Sequence, residues 1–222
     1  MHDLTAEPVG GLLELRVDVT GDAAEAATRR IAVWTRAIEI GCFGAGRLRV
    51  QSLQTKDDVI FAQWRCERLP SSAIDGLARL LQHLSATRTP LDDVQLSLDG
   101  RAFTPSREVA LPEPIGAPPF ELEVNEDLKS FVRVEIEFRA ALAPAARDAV
   151  FAALAVWDVL VAAFGDREHW DDEADLETRL LSPRIVEHQV DGYFASVECL
   201  YPVVGLALRL HPSLAIERLT LE

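Results

Sequence analysis

Residues 12–20 read LLELRVDVT, and residues 132–138 read VRVEIEF. In both stretches apolar and polar side chains alternate, which is the pattern of a β-strand with one buried face. Each stretch is followed by a segment whose apolar residues have helical spacing, over Asp22–Ile40 and Pro144–Phe164. A strand followed by a helix is therefore predicted twice in this chain of 222 residues.

Similarity between the two halves indicates an internal repeat. Ile31-Ala32-Val33-Trp34 corresponds to Leu154-Ala155-Val156-Trp157, at an offset of 123 residues. Strand-like runs follow each helix, namely Arg47–Gln54, Val59–Cys66, Arg184–Val190 and Tyr193–Leu200. The last two runs flank Asp191-Gly192, which predicts a two-residue hairpin turn.

Each half then ends on another helix and another strand. The helices contain Gly76-Leu77-Ala78 and Gly205-Leu206-Ala207, and the strands are predicted at Val94–Asp99 and Glu217–Glu222. The order βαββαβ is that of the ferredoxin-like unit, an antiparallel sheet with helices on one face. We therefore predict an α+β protein formed by tandem duplication of this unit.

The repeats are predicted at residues 10–100 and 128–222. Residues 101–127 are interpreted as a connector, because Arg101–Phe120 holds five of the twelve prolines. A duplicated chain supplies both halves of a twofold by itself, so we expect a monomer.

The charge of the chain excludes one large class of partner. It has 36 acidic and 22 basic residues, a net charge of -14 and a pI near 4.8. Such a surface repels phosphate backbones, so nucleic acid is not an expected ligand. We expect a basic protein as the partner instead.

Composition also predicts the compartment. Three widely spaced cysteines do not form a disulfide framework, and Met1–Gly10 lacks the features of a signal peptide. The apolar stretch Ala149–Phe164 contains Asp158 and is too short to cross a bilayer. We expect a bacterial cytoplasmic protein, given that nearly all of its basic residues are arginine, with a buried core helix and no membrane contact.

No pattern in the sequence predicts a reaction. The glycine-rich loop Gly41–Gly46 follows a helix, so it is interpreted as a helix end rather than a phosphate loop. Cys66 and Cys199 are interpreted as buried structural residues, and His83 and His211 as cations near helix ends. No metal-ligand spacing, cofactor or catalytic residue is predicted. A Ser/His/Asp triad stays open, because geometry rather than sequence reveals one.

The second half departs from the repeat by about ten extra residues around Asp166–Leu181. The spacing from Trp34 to Phe61 is 27 positions, whereas that from Trp157 to Phe194 is 37. Residues 166–177 contain seven acidic side chains and one basic side chain.

An aromatic residue among acids is a typical anchor for a basic protein surface. We therefore predict a partner-binding surface formed by His169, Trp170, Asp171, Asp172 and Glu173. One alternative is an ordinary helix capped by Asp171 or Asp172, whose leucines would pack inward: Leu176, Leu180 and Leu181. Another is a calcium loop, although Leu176 replaces the required glycine.

Two functions follow as hypotheses. The first is a non-enzymatic acidic protein that binds another protein, such as an inhibitor or immunity protein. The second is a small-molecule binder or enzyme with a pocket between the repeats. A scaffold role in a larger assembly has no specific support in the sequence.

Overall fold

The computed structural model describes residues 9–19, 23–43, 46–70, 73–78, 80–81, 91–103, 117–125, 131–164, 177–191 and 197–222. Contacts divide the chain into two compact units. The first unit contains the described residues up to 39 and from 46 to 103. The second contains residues 40–43 and the described residues from 117 onward.

The first unit is an antiparallel sheet with helices. Its elements are β1 (Val9–Val19), α1 (Ala23–Ile40), β2 (Arg47–Lys56), β3 (Val59–Leu69), α2 (helical at 73–78 and 80–81), β4 (Leu91–Leu98) and β5 (Arg101–Ala102). The strand order is β2-β3-β1-β4-β5, and all neighbouring strands are antiparallel.

The second unit has a mixed sheet. Its elements are β6 (Glu121–Val124), β7 (Phe131–Phe138), α3 (Pro144–Phe164), β8 (Glu177–Ser182), β9 (Ile185–Asp191), α4 (Val197–Leu214) and β10 (Ile216–Leu221). The strand order is β6-β10-β7-β9-β8. β6 is parallel to β10, and the other neighbours are antiparallel.

Four strands of each sheet follow the same order. β2-β3-β1-β4 in the first unit corresponds to β8-β9-β7-β10 in the second. The predicted α+β class is thereby confirmed. β5 and β6 come from residues interpreted as connector, and they extend the sheets beside β4 and β10.

The helices of the first unit cover one face of its sheet. Every second residue of β1 from Leu13 to Val19 is buried, as the alternation predicts. Trp34 of α1 meets Trp64 of β3 edge to face, with ring centroids 5.3 Å apart. The indole Nε1 of Trp34 donates a hydrogen bond to the carbonyl of Ala73 in α2 (2.7 Å). The side chains of Glu14 and Arg16 therefore lie on the opposite face, called here the helix-free face because no described helix of the first unit packs on it.

The predicted second hairpin is wrong. Residues 197–200 begin α4 instead of ending a strand, and β9 is joined by a turn at residues 183–184 to the preceding strand β8. A short apolar run suits either element, and here the buried residues from Val203 to Ala207 make a long helix more favourable. The interpretation of Leu180 and Leu181 as inward-packing helical residues is also wrong, because both are exposed on β8.

The outer strands β2 and β8 each contain a β-bulge. The register skips Gln51 in β2 and Leu181 in β8. Both strands also expose large apolar side chains: Val50, Leu53, Leu180 and Leu181.

Candidate functional site on the first sheet

The predicted partner-binding residues lie outside the described part of the chain. These residues are His169, Trp170, Asp171, Asp172 and Glu173. The prediction that they bind a partner therefore stays a prediction, and the candidate site below is built from other residues.

A groove of about 870 Å³ lies along the helix-free face of the first sheet. Its lining includes amides, hydroxyls and two aromatic rings, Phe61 and Phe103, while Glu14 and Arg16 are its charged residues. All of these residues belong to the first unit. The volume is within the range of known small-ligand sites, which extends to roughly 1,000 Å³.

A row of hydrogen-bonded side chains crosses four strands at the floor of the groove. The hydroxyl of Ser52 donates to Oε1 of Gln63 (3.2 Å), and Nε2 of Gln63 donates to Oε1 of Glu14 (2.8 Å). From the other side, the hydroxyl of Ser97 donates to Oε2 of Glu14 (3.3 Å). The row runs from Ser52 on β2 to Ser97 on β4. Within it, the carboxylate of Glu14 accepts a hydrogen bond from each side.

Glu14 has no ion pair within the described residues. Arg16, two positions along β1, is paired instead with Asp18, with 2.9 Å between Nη2 and Oδ1. Among the described residues, the donors to the carboxylate of Glu14 are thus neutral. Such a carboxylate attracts a cation from outside the unit.

A second row lies beside the first and supplies the aromatic surface. Gln54, Phe61, Arg16 and Gln95 are neighbours across β2, β3, β1 and β4. Phe61 is 44% exposed although it lies in a central strand. A large apolar ring left open between polar neighbours is available for contact with a ligand or partner.

On the corresponding face of the second sheet, Glu187 and Glu137 form ion pairs with arginines of the same unit. Glu187 on β9 is only 1% exposed, and its Oε1 lies 2.6 Å from Arg179 and its Oε2 3.5 Å from Arg133. Glu137 pairs with Arg184 (3.1 Å) and Arg218 (2.8 Å).

Hydrogen bonds to glutamates also raise the pKa of two arginines of the second unit. A hydrogen bond to Glu222 raises the pKa of Arg133, and one to Glu137 raises the pKa of Arg218. Glu137, Glu187 and Glu222 are therefore matched by arginines of the same unit.

Strand register shows where the two faces differ. Asp18 pairs with Val59, the first residue after the β2–β3 turn, and Glu137 pairs with Ile185, the first residue after the β8–β9 turn. Counting from these hairpin pairs, Glu14 matches Arg133. Counting instead from β4 and β10, where Ser97 corresponds to Thr220, Glu14 matches Glu135. The second unit thus has both an arginine and a glutamate on this face of β7.

A polar cluster in the second unit contains a hydroxyl, an imidazole and a carboxylate in the order of a catalytic triad, but its histidine is buried. Thr178 Oγ1 and His188 Nδ1 are 2.7 Å apart, and His188 Nε2 lies 3.8 Å from Asp158 Oδ1. His188 is fully buried and its ring packs edge to face on Trp157. Because His188 and Asp158 are buried, we interpret the cluster as structural.

The sequence carried a partial signal for this cluster. Asp158 is the single charge in the apolar stretch 149–164, which predicts a buried carboxylate that needs a partner. His188 has no comparable pattern, because its partner lies 30 positions away in the sequence.

Of the cysteines and histidines interpreted as structural or helix-end residues, Cys66 and His211 have described side chains. Cys42 and Cys66 are buried free thiols, and burial raises the pKa of Cys66 to about 11 and that of Cys42 further. Thiols of this kind are poor nucleophiles. His211 lies in the last turn of α4, near the helix end as predicted, with its ring centroid 5.6 Å from that of Phe120. The side chains of His83 and Cys199 lie outside the described set.

Within the described ranges, no group of three or more His, Cys, Asp or Glu side chains is arranged to hold a metal ion. Among the described helices, none combines the length and the apolar character needed to cross a membrane. In comparisons with known proteins, no family model matches the chain, and no curated protein is similar to it at a significant level.

Proposed function

We propose that this protein is a non-enzymatic binding protein that captures a basic partner protein, as an inhibitor or immunity-type protein does. The observation that carries the proposal is the helix-free face of the first sheet. There Glu14 lacks a cationic partner among the described residues, and Phe61 is exposed in the neighbouring row. An acidic group beside an open ring suits a basic partner, because charge speeds the encounter and the ring supplies burial.

The charge of the whole chain favours the same class of partner. A net charge of -14 attracts basic surfaces over a distance of about 10 Å at moderate salt. The arginines Arg133, Arg179, Arg184 and Arg218 are already paired with carboxylates of the second unit. They therefore offer little to an acidic partner.

A second contact surface is proposed in the acidic segment of residues 166–177. Its members with the strongest anchor chemistry are His169, Trp170, Asp171, Asp172 and Glu173. The two surfaces are independent proposals about one partner, and separate variants test them.

The test combines capture with a quantitative titration. Immobilised protein is used to retain basic proteins from a lysate of the native organism, and each retained protein is purified and titrated by calorimetry. We expect a one-to-one complex that Glu14→Gln weakens by about tenfold or more. The triple variant Asp171→Ala, Asp172→Ala, Glu173→Ala tests the acidic segment in the same way.

The matched control is Glu135→Gln, which removes one carboxylate from the second sheet at a strand position next to Arg133. We expect this variant to bind like the wild type. The proposal is wrong if no basic protein forms a stoichiometric complex, or if all four proteins bind the partner equally well.

We further propose that the chain is a tandem duplication of a ferredoxin-like unit in a bacterial cytoplasmic protein. The matching orders β2-β3-β1-β4 and β8-β9-β7-β10 support the duplication, and the scattered cysteines support a reducing compartment. The proposed protein is monomeric and binds no nucleic acid, in keeping with its negative charge.

The groove volume favours one second candidate, a protein that binds a small polar molecule on the same face. Amides, hydroxyls and aromatic rings in the lining suit a ligand rich in hydrogen-bonding groups. Calorimetric screening of polar metabolites against wild type and Glu14→Gln separates this candidate from protein capture.

A further inference from the structure

The carboxylate of Glu14 is held by one donor on each oxygen. Oε1 accepts from the amide of Gln63 on β3, and Oε2 accepts from the hydroxyl of Ser97 on β4. These donors lie on opposite sides of β1, so the two oxygens are directed towards different strands. A surface glutamate is usually free to rotate, whereas this one is oriented from both sides.

The count of lone pairs then limits what the site can accept. A carboxylate offers about four acceptor positions, two on each oxygen. The described donors use one position on each oxygen, which leaves one on each. A ligand that donates two parallel N–H groups, one to each oxygen, fits this arrangement.

The guanidinium of arginine is the side chain with that geometry. Its planar fork binds a carboxylate through two parallel hydrogen bonds, whereas the ammonium of lysine acts as a point charge. Guanidinium also stacks on aromatic rings, and the groove contains Phe61 and Phe103. Both features of the groove therefore favour arginine over lysine.

The second unit contains the corresponding interaction within itself. Arg133 on β7 binds Glu222 and lies 3.5 Å from Glu187. Glu222 follows β10 and its backbone is hydrogen-bonded to Arg133 in both directions. An arginine–carboxylate pair is thus present on this face of the second sheet. In the first unit, Glu14 has no arginine partner among the described residues, because Arg16 pairs with Asp18.

We infer that the groove of the first unit is a receptor for an arginine side chain of the basic partner, with Glu14 as the acceptor and Phe61 as the stacking surface. The inference rests on the proposed function and specifies the chemistry of the contact. Ser52, Gln63 and Ser97 are positioning residues, because they orient the carboxylate that binds the guanidinium.

The test uses three capped tripeptides that differ at one position. Ac-Gly-Arg-Gly-NH₂ is compared with the peptides that carry lysine or citrulline in place of arginine; citrulline has nearly the shape of arginine but no charge. Each is titrated into the full ¹⁵N-labelled chain and followed by NMR. We expect the arginine peptide to shift the amide signals of residues 14, 63 and 97 and to bind at least about threefold tighter than the lysine peptide.

Variants locate the site. Glu14→Gln is expected to abolish the shifts, and Ser97→Ala is expected to reduce the preference for arginine over lysine while binding of both continues. Glu135→Gln on the second sheet is the matched control and is expected to leave the titration unchanged. Near-native amide spectra of each variant establish that it is folded.

Two outcomes overturn the inference. If lysine binds as tightly as arginine, the groove is a general cation site, and capture of a basic partner is unaffected. If the arginine peptide binds elsewhere, or binds Glu14→Gln as well as it binds the wild type, Glu14 is not its acceptor. Failure of the proposed function is distinct from both, because it is measured as the absence of a complex with any basic protein.

Discussion

A single strand position decides what the helix tryptophan meets in each unit. Trp34 packs on Trp64 with an interplanar angle of 74°, and Trp157 packs on His188 at 68°. Counting from β4 and β10, Leu13 matches Val134, and their partners on the next strand are Trp64 and His188. The two cores thus provide the same edge-to-face contact from corresponding inward-facing positions.

Removal of that ring should be costly. His188→Ala opens a cavity beside Trp157 and leaves Thr178 and Asp158 without their described partner. We expect a loss of about 3 kcal/mol in the free energy of unfolding, from the cavity and the unpaired polar groups together. Urea unfolding followed by Trp fluorescence measures it. Gln189→Ala, on the opposite face of the same strand, should cost less than about 1 kcal/mol; equal losses would show that the ring does not stabilise the core.

Two adjacent glycines in β1 differ in backbone conformation and in the space available for a Cβ atom. Gly11 has φ +140°, and a Cβ there would lie 2.3 Å from the carboxylate of Asp99, which accepts a hydrogen bond from the amide of Leu12. Gly10 has no such conformation, and a Cβ there would meet its nearest neighbour at 3.6 Å.

We expect Gly11→Ala to destabilise the protein by about 2 kcal/mol and Gly10→Ala to change its stability by less than about 0.5 kcal/mol. Thermal unfolding of the two variants is the measurement. A Gly11→Ala protein as stable as the wild type would mean that Asp99 moves aside without loss.

At the scale of elements, the turn between β2 and β3 departs from the usual hairpin sequence. Asp57 and Asp58 both have positive φ, 50° and 61°, where Asn-Gly is preferred. Asp58→Gly is therefore expected to raise the free energy of unfolding by about 0.5 kcal/mol. Asp93→Gly, inside β4, is the control and should lower it by about 1 kcal/mol. If Asp58→Gly lowers the stability instead, the conformational entropy that glycine adds to the unfolded chain outweighs the backbone strain that it removes from the turn.

Local patterns in the sequence predicted most elements but not all pairings. Alternation located β1 and β7, and the apolar spacing located α1 and α3 within one residue of their observed starts. The second hairpin failed because similarity around Phe194 and Cys199 was taken as strand, whereas the chain from Val197 is helical. The β4–β5 hairpin was also missed, although Asp99-Gly100 is a strong turn signal.

The candidate site could not be predicted from the sequence, for a different reason. Glu14 reads as an ordinary outward residue of an alternating strand. Its partners Gln63 and Ser97 lie 49 and 83 positions away, and only the strand order brings them together. Sequence reasoning had no means to pair these three residues, because it left the sheet register open.

For the molecule as a whole, the net charge and the ion pairs respond to salt in opposite directions. Salt screens the repulsion that comes from a net charge of -14, which stabilises the folded chain, but it also weakens the arginine–glutamate pairs of the second sheet. Exposed pairs contribute about 0–1 kcal/mol each, so we expect the repulsion to dominate.

The melting temperature should then rise by about 2 °C between 10 and about 200 mM NaCl. Scanning calorimetry at constant pH measures it, with the Arg218→Gln variant as a comparison in which one described partner of Glu137 is removed. A fall in melting temperature would mean that the ion pairs contribute more than the repulsion costs.

The bulges in β2 and β8 have a consequence for the fate of this protein at high concentration. An outer strand with open backbone groups and exposed apolar side chains is a template on which copies of a chain can stack into fibrils. Gln51 and Leu181 each interrupt the regular two-residue spacing beside the exposed leucines and valine. Another copy then cannot keep its hydrogen bonds in step along the whole edge. We therefore expect these two extra residues to oppose aggregation, and deletion of either to increase fibril formation at high protein concentration.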